Sequence, residues 1–392
     1  MRTACLAGRM SHPVLALLMV LPAVGCQQQA REGLDIKGLT RLDPARGVQD
    51  SKTDLLWYDA ALLTVEGRGW AATEDFYDRL PAKAKNVVRP EVWGLSKNSA
   101  GLCVRFVTDS DRVAARWTTT SKNMAMDHMP ATGVSGLDLY VRDNNRWRWV
   151  AVGRARSAQT NEVVLAGDVP AGAHEYMLYL PLYNGIKALE IGVVPKAALA
   201  QPAPRPAGLD RPMCFYGTSI TQGGCASRPG MVYTAILGRW LDRPVINLGF
   251  SGNGRMDPEL AVLMGEIDAS VYVLDTLPNM TKQMVEERLE SFVQALRKAR
   301  PQTPIVLVES VPYQGEAFLT KQRQAVADKN AALRKAYENL KAGGVRNLIY
   351  VTNRSLTGTD GEAAVDGVHL TDLGYLRFAE TLEPVLRKAL RE

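Results

Sequence analysis

Met213-Cys214-Phe215-Tyr216-Gly217-Thr218-Ser219 is the stretch from which the fold is read. Four apolar residues run without alternation and stop at Gly217, and a serine follows two residues later. An unbroken apolar run bounded by glycine has the pattern of a buried strand ending in a tight turn. Ser219 is then lifted off the strand end, where backbone N–H groups can face a developing oxyanion. A Gly-x-Ser turn also occurs as a plain turn, so this stretch alone leaves both readings open.

Toward the C-terminus the same kind of run recurs at Val245–Phe250, Val271–Leu274, Ile305–Val308 and Leu348–Val351. Helical segments separate the runs. Val285, Leu289, Phe292, Val293 and Leu296 share one face at helical spacing, Lys321 to Ala342 ends at the stop signal Gly343-Gly344, and Leu373 to Leu390 is amphipathic. Strands without alternation, separated by helices, predict a parallel sheet covered on both faces, with reactive groups at the carboxyl ends of the strands. Residues 213–392 are therefore read as an α/β domain.

Toward the N-terminus, Pro202, Pro204, Pro206 and Pro212 among alanines mark 196–212 as a semi-rigid linker. Residues 51–195 read instead as short strands with turns between them. Leu137, Leu139 and Val141 share one face of a strand, with Asp138, Tyr140 and Arg142 on the other. Trp147 and Trp149 alternate with Arg146 and Arg148 after a turn at Asp143-Asn144-Asn145. Regular strand spacing of this kind predicts a β-sandwich. Trp147, Trp149 and Tyr140 either fill its core or offer an aromatic platform for a sugar.

The chain has 392 residues and a formal charge of +6, small for its length, with no basic run or basic helix face. No nucleic-acid partner is expected. Arg2 and Arg9 precede an apolar run from Val14 to Val24, shorter than the roughly 20 residues of a spanning helix. The layout is that of an export signal over 1–26. It ends Ala23-Val24-Gly25-Cys26, which resembles a bacterial lipobox with Cys26 as the lipidated residue. The two readings are a lipoprotein at the periplasm or cell surface, touching the membrane only through its anchor, and a simply secreted protein. Residues 27–50 are polar and aperiodic and read as a flexible tether. Cys103, Cys214 and Cys225 make no disulfide framework and show no metal-ligand spacing, so no metal or cofactor is expected.

There are four histidines: His12, His128, His174 and His369. Only His369 belongs to the α/β region, three residues after Asp366, a spacing that lets one turn of chain bring carboxylate to imidazole. The acid would fix the ring's tautomer while the histidine takes a serine proton. Alternatively, Asp366 caps a turn and His369 is a surface residue. Two more loops follow strand ends. In Asn247-Leu248-Gly249-Phe250-Ser251-Gly252-Asn253-Gly254, glycine admits close backbone approach. In Asp275-Thr276-Leu277-Pro278-Asn279-Met280, Asn279 either presents its amide to an oxyanion or caps a helix.

Taken in order, Ser219, Gly252, Asn279 and His369 resemble the four marker residues of the SGNH (GDSL-type) hydrolases. Gly217-Thr218-Ser219-Ile220-Thr221 is similar to the first block, with Thr218 in place of the usual aspartate. Leu277-Pro278 before Asn279 departs from the family's third block, while Asp366-x-x-His369 matches. Gly136-Leu137-Asp138-Leu139-Tyr140 resembles the Gly-x-Asp-Leu-Tyr motif of a domain found ahead of one SGNH subgroup, and Thr221 to Gly230 resembles that subgroup's extended first block. The resemblance implies a flavodoxin-like three-layer α/β/α domain preceded by a jelly-roll-like β-sandwich. It implies a serine esterase with Ser219 as nucleophile, His369 as base, Asp366 as orienting acid, and an oxyanion hole from Ser219, Gly252 and Asn279. The implied substrate is an acylated small molecule or glycan, foremost an O-acetyl ester. A broader short-chain esterase, a lysophospholipase and a non-catalytic glycan-binding protein are the alternatives.

Overall fold

The computed structural model describes Met1, residues 34–157 and residues 159–391. The expected export signal, with Cys26 and His12, lies outside the described residues. From Leu34 onward the chain forms one compact unit.

Its strands are β1 (Val48–Asp50), β2 (Leu55–Asp59), β3 (Thr64–Glu66), β4 (Cys103–Thr108), β5 (Val113–Thr119), β6 (Leu137–Asp143), β7 (Arg146–Gly153), β8 (Thr160–Ala166), β9 (His174–Tyr179), β10 (Ile186–Val193), β11 (Leu199–Ala200), β12 (Met213–Gly217), β13 (Val245–Gly249), β14 (Val271–Asp275), β15 (Ile305–Val308) and β16 (Leu348–Val351). Its α-helices are α1 (Pro90–Ser96), α2 (Ala131–Val134), α3 (Ser219–Gln222), α4 (Tyr233–Trp240), α5 (Pro258–Glu266), α6 (Lys282–Ala299), α7 (Thr320–Ala342) and α8 (Asp372–Leu390).

The last five strands form the expected parallel sheet, in the order β13-β12-β14-β15-β16. This is the flavodoxin-like arrangement, in which the chain leaves β12 first to one side and then to the other and opens a crevice at the carboxyl ends. Along β12, Met213 and Phe215 enter one core while Cys214 and Tyr216 enter the other, so every residue of the strand is buried. That double burial explains the missing alternation. α6 starts where the Thr281 hydroxyl accepts from the Met284 N–H, and it buries Val285, Leu289, Phe292, Val293 and Leu296 on one side.

Two antiparallel sheets precede it, β1-β2-β10-β5-β8 and β11-β4-β9-β6-β7, with β3 also paired to β4. Leu137 and Leu139 of β6 point into the core between them, with Trp117, Phe106 and Leu189. The other face of the second sheet is also covered: Cys103, Tyr140, Met177 and Tyr179 join Tyr233, Ala235 and Ile236 of α4 in one continuous core. The face of β6 that carries Asp138, Tyr140 and Arg142 is thus the one turned to the α/β layers.

The structure corrects several expectations. Residues 34–50 are no free tether: Ile36 is buried with Val107, Ala173 and Ala200, and β1 adds to the first sheet. Their polarity concealed the few apolar anchors. The 196–212 segment is no loose linker either. It contributes β11, and Arg205 forms ion pairs with Glu66 and Asp242. Leu80, Ala84, Val88 and Val92, within the stretch read as sandwich, pack instead on Ile246, Leu260 and Met264 of the α/β layers. Trp147 and Trp149 do not fill the sandwich core. Trp149 is 50% exposed, and Trp147 is half-buried with the Arg142 guanidinium over its ring. Among the described residues, no helix is long and apolar enough to cross a membrane.

Candidate active site

The register of the parallel sheet aligns three loops. Gly217 at the end of β12 lies beside Gly249 of β13 and Asp275 of β14. Ser219, Gly252 and Asn279 follow these positions by two, three and four residues. The serine turn presses directly on its neighbour, since a Cβ on Gly249 would stand 2.1 Å from the Gln222 backbone nitrogen. Only glycine permits that approach. Thr218, where the resemblance expected aspartate, caps the turn by accepting from the Ile220 N–H at 3.2 Å. Ser219 opens α3 and is 6% exposed.

His369 reaches this serine from the loop ahead of α8. Its Nε2 lies 2.8 Å from Ser219 Oγ, and its Nδ1 lies 2.6 Å from Asp366 Oδ2. The other carboxylate oxygen, Oδ1, accepts from the backbone N–H groups of Val368 at 3.1 Å and His369 at 2.8 Å. Asp366 therefore caps its own turn and holds the ring at once, and His369 is half-buried against Ser219 rather than a free surface residue. Partial burial pushes this carboxyl up, but the ring bond and the two N–H groups outweigh it and hold it down at about 2. The acid is ionised throughout the neutral range.

Gly252 stands at φ +70 on an exposed turn. No atom lies within 4 Å of a Cβ built there, so backbone conformation rather than space requires glycine. Asn279 ends a short 3-10 turn, Leu277–Asn279, and Thr281 rather than Asn279 caps the following helix. The Asn279 Oδ1 accepts from the Gly254 N–H at 3.2 Å, tying the third loop to the second. That bond leaves the amide nitrogen as the group available for other work.

Several contacts were not read from the sequence. The His128 ring, from the sandwich, stands 5.6 Å from the His369 ring. Cys225 is buried at φ +70 beside Met129, Val134 and Tyr183, and burial pushes its thiol up to about 12. Tyr183 donates to the Ser219 carbonyl at 3.3 Å. Asp138 of the Gly-x-Asp-Leu-Tyr stretch is wholly buried. It accepts from Arg228 and the Gly230 N–H at 2.8 Å each and from the Trp149 indole at 2.8 Å. Burial pushes this carboxyl up against those donors. The motif is thus a clamp on the loop that follows the serine turn. Its signal in the sequence was an acid alternating with apolar neighbours on one strand.

A buried serine bonded to an imidazole, at the carboxyl edge of a flavodoxin-like sheet behind a β-sandwich, is the arrangement of an enzyme with an activated serine nucleophile. A family model described as the GDSL-like lipase/acylhydrolase family matches residues 210–387, and one described as the N-terminus of SGNH-hydrolase-type esterases, GxDLY, matches residues 55–199. A solved structure named as a GDSL-like lipase from Bacteroides ovatus is 34% identical, with 86% of this chain and 98% of that one covered and a TM-score of 0.81. A salicylyl-acyltransferase from a tetracycline biosynthetic pathway is 21% identical, over 88% of this chain and 97% of that one, with a TM-score of 0.66. A family two carbohydrate esterase from Clostridium thermocellum, in complex with cellohexaose, is 16% identical, over 74% and 93%, with a TM-score of 0.52. A search among curated proteins gives no match. The chain belongs to the GDSL-like lipase/acylhydrolase family, and it is a carboxylic ester hydrolase.

Proposed function

We propose that this protein removes short acyl groups, foremost O-acetyl, from a carbohydrate through a Ser219-His369-Asp366 triad. The observation that carries this reading is the unbroken hydrogen-bond path from Ser219 Oγ through the His369 ring to Asp366, at 2.8 and 2.6 Å. Ser219 Oγ attacks the ester carbonyl and passes its proton to His369 Nε2. The oxyanion that forms faces the N–H groups of Ser219 and Gly252 and the Asn279 amide. The intermediate collapses, His369 protonates the departing sugar oxygen, and an acyl-serine remains. Water then attacks with His369 as base and regenerates Ser219. Asp366, held at about 2, stays ionised and stabilises the imidazolium at each step.

The glycan part of the reading is supported by the likeness of fold to carbohydrate esterases from Cellvibrio japonicus and Clostridium thermocellum and to an acetyl xylan esterase from Butyrivibrio proteoclasticus. One observation favours a second reading, a longer or lipid-borne acyl chain. Phe318 is 89% exposed and Leu319 half-exposed, on a loop whose Gln314 N–H donates to the Gly367 carbonyl beside the triad. The test is acetate release from acetylated xylan and acetylated glucomannan, set against hydrolysis of a lysophospholipid and a long-acyl ester by the same preparation. Faster turnover of the long-acyl substrates sinks the glycan reading and leaves the esterase intact.

Export with a lipid anchor at Cys26 is part of the same proposal. Incorporation of labelled palmitate by the wild type and its loss in Cys26→Ala would support it. Equal membrane association of both would speak for another anchor, and release of both into the medium for simple secretion.

A further inference from the structure

Two side chains beside the triad have no task in ester hydrolysis. His128 comes from the sandwich, between β5 and β6, and Cys225 follows the serine turn. One ligand atom from each, together with a ring nitrogen of His369, lie within 4.8 Å of one another. The two imidazoles are tilted by 55° at a centroid separation of 5.6 Å, so they converge rather than stack flat. His128 Nδ1 lies 3.0 Å from the exposed Asp127 carboxylate. A carboxylate on one ring nitrogen is the usual means of orienting a histidine that binds metal through the other.

We infer that Cys225, His128 and His369 form a site for a thiophilic divalent cation such as Zn²⁺, and that the bound ion switches the esterase off. One thiolate and two imidazoles are a donor set that suits zinc and not magnesium or calcium. Three protein ligands leave a fourth position open. Zinc–ligand bonds of about 2.0–2.3 Å put ligand atoms roughly 3.5 Å apart, so the cluster needs to contract by at most about an ångström. The partly exposed His128 side chain is free of the core clusters and can supply that movement. On binding, the Cys225 thiol proton passes to solvent and a metal–sulfur bond forms, with no change of oxidation state.

Inhibition follows from the geometry of His369. Both of its ring nitrogens are occupied, one by Ser219 and one by Asp366. An ion that takes either nitrogen breaks the triad, so bound metal and working triad exclude each other. The three ligands lie far apart in sequence and belong to both layers, which is why no spacing announces them. Because His128 belongs to the sandwich, the ion would also fasten the sandwich to the catalytic edge. The inhibition rests on the role proposed for His369, whereas the binding does not.

The test uses the full chain stripped with chelator, titrated with Co²⁺ as a spectroscopic probe and with Zn²⁺ in the ester assay. The expected result is a thiolate-to-cobalt charge-transfer band at one ion per chain, present in wild type and Ser219→Ala and lost in Cys225→Ser. Zn²⁺ is expected to inhibit the wild type at a concentration at least tenfold below that needed for Cys225→Ser or His128→Gln, each measured against its own metal-free rate. Mg²⁺ should have no effect. The site is overturned if wild type gives no such band, or if the band and the Zn²⁺ sensitivity persist in both variants. A band with undiminished activity upholds the site and overturns the base role of His369 instead.

Discussion

Asp138 on the sandwich strand β6 and Arg228 in the loop after the serine turn meet at 2.8 Å, with the carboxylate fully enclosed and the guanidinium 22% exposed. The same guanidinium donates to the Tyr140 hydroxyl at 2.6 Å and lies over the Tyr140 and Trp149 rings. Immediately before it, the Ser227 N–H donates to Asp372 in the first turn of α8 at 2.9 Å. The sandwich thus grips a loop that is itself tied to the helix following His369.

Removing one partner of a buried pair strands the other, a loss on the order of 3 kcal/mol or more. Asp138→Asn is therefore expected to lower unfolding stability in urea by about that amount, and to reduce kcat/KM because the 225–231 loop loses its anchor. In the double variant Asp138→Asn/Arg228→Met the two losses should not add, since the second change removes the stranded charge. Strict additivity would mean that the contact contributes nothing as a clamp.

The proposed nucleophile and base act as one unit. Ser219→Ala and His369→Ala are each expected to cost at least about 10⁴-fold in kcat on an acetyl ester, and the double variant hardly more. Asp366→Asn should cost on the order of 10³–10⁴-fold, because the ring loses the acceptor that fixes its tautomer. Circular dichroism should show all four variants folded. A Ser219→Ala protein as active as wild type would remove the basis of the mechanism.

Asn279 offers a sharper test of the oxyanion reading. Its Oδ1 already accepts from Gly254, so the amide N–H₂ is the group aimed elsewhere. Asn279→Ala is expected to lower kcat roughly 100- to 1000-fold with little change in KM. Asn279→Asp retains the acceptor for Gly254 and replaces the donor with a carboxylate, and it should lose more than the alanine variant. Steady-state kinetics separate these outcomes. If aspartate restores activity relative to alanine, Asn279 serves the loop and not the oxyanion.

How far the sequence announced this molecule depends on which physical signal each part leaves. The parallel sheet was legible because strands buried on both faces must be apolar throughout, as Met213 to Tyr216 are. The His369–Asp366 contact was legible because three residues of separation span it. Residues 34–50 have the sequence of a tether because a few anchors such as Ile36 hold a polar segment, and no periodicity marks single anchors. The approach of His128 to His369 joins two layers, and a contact that exists only after the layers dock leaves no local trace. Asp138 stands in a legible motif, but its partner Arg228 follows only from the docking of β6 on the α/β layers.

Asp275 predicts an unusual dependence of stability on pH. It ends β14 beside Gly217 and is completely buried. Its Oδ2 accepts from the Thr221 hydroxyl at 3.1 Å and the Tyr233 hydroxyl at 3.2 Å, while its Oδ1 has no partner among the described residues. Burial pushes the carboxyl up to about 7 from an ordinary 3.8, against the two hydroxyl donors. Between those values the native state holds a proton that the unfolded chain has lost, so stability falls as pH rises through the window and levels off above about 7. At neutral pH and above, the wild type either buries a charge or gives up part of its folding energy. Asp275→Asn presents a neutral group of the same shape and still accepts from both hydroxyls. It is expected to match the wild type near pH 4 and to exceed it at pH 8 by on the order of 3–4 kcal/mol, read from urea unfolding at the two pH values. A difference between variant and wild type that stays constant from pH 4 to pH 8 would mean that Asp275 is ionised in the folded protein across that range, with its charge met by some group other than Thr221 and Tyr233.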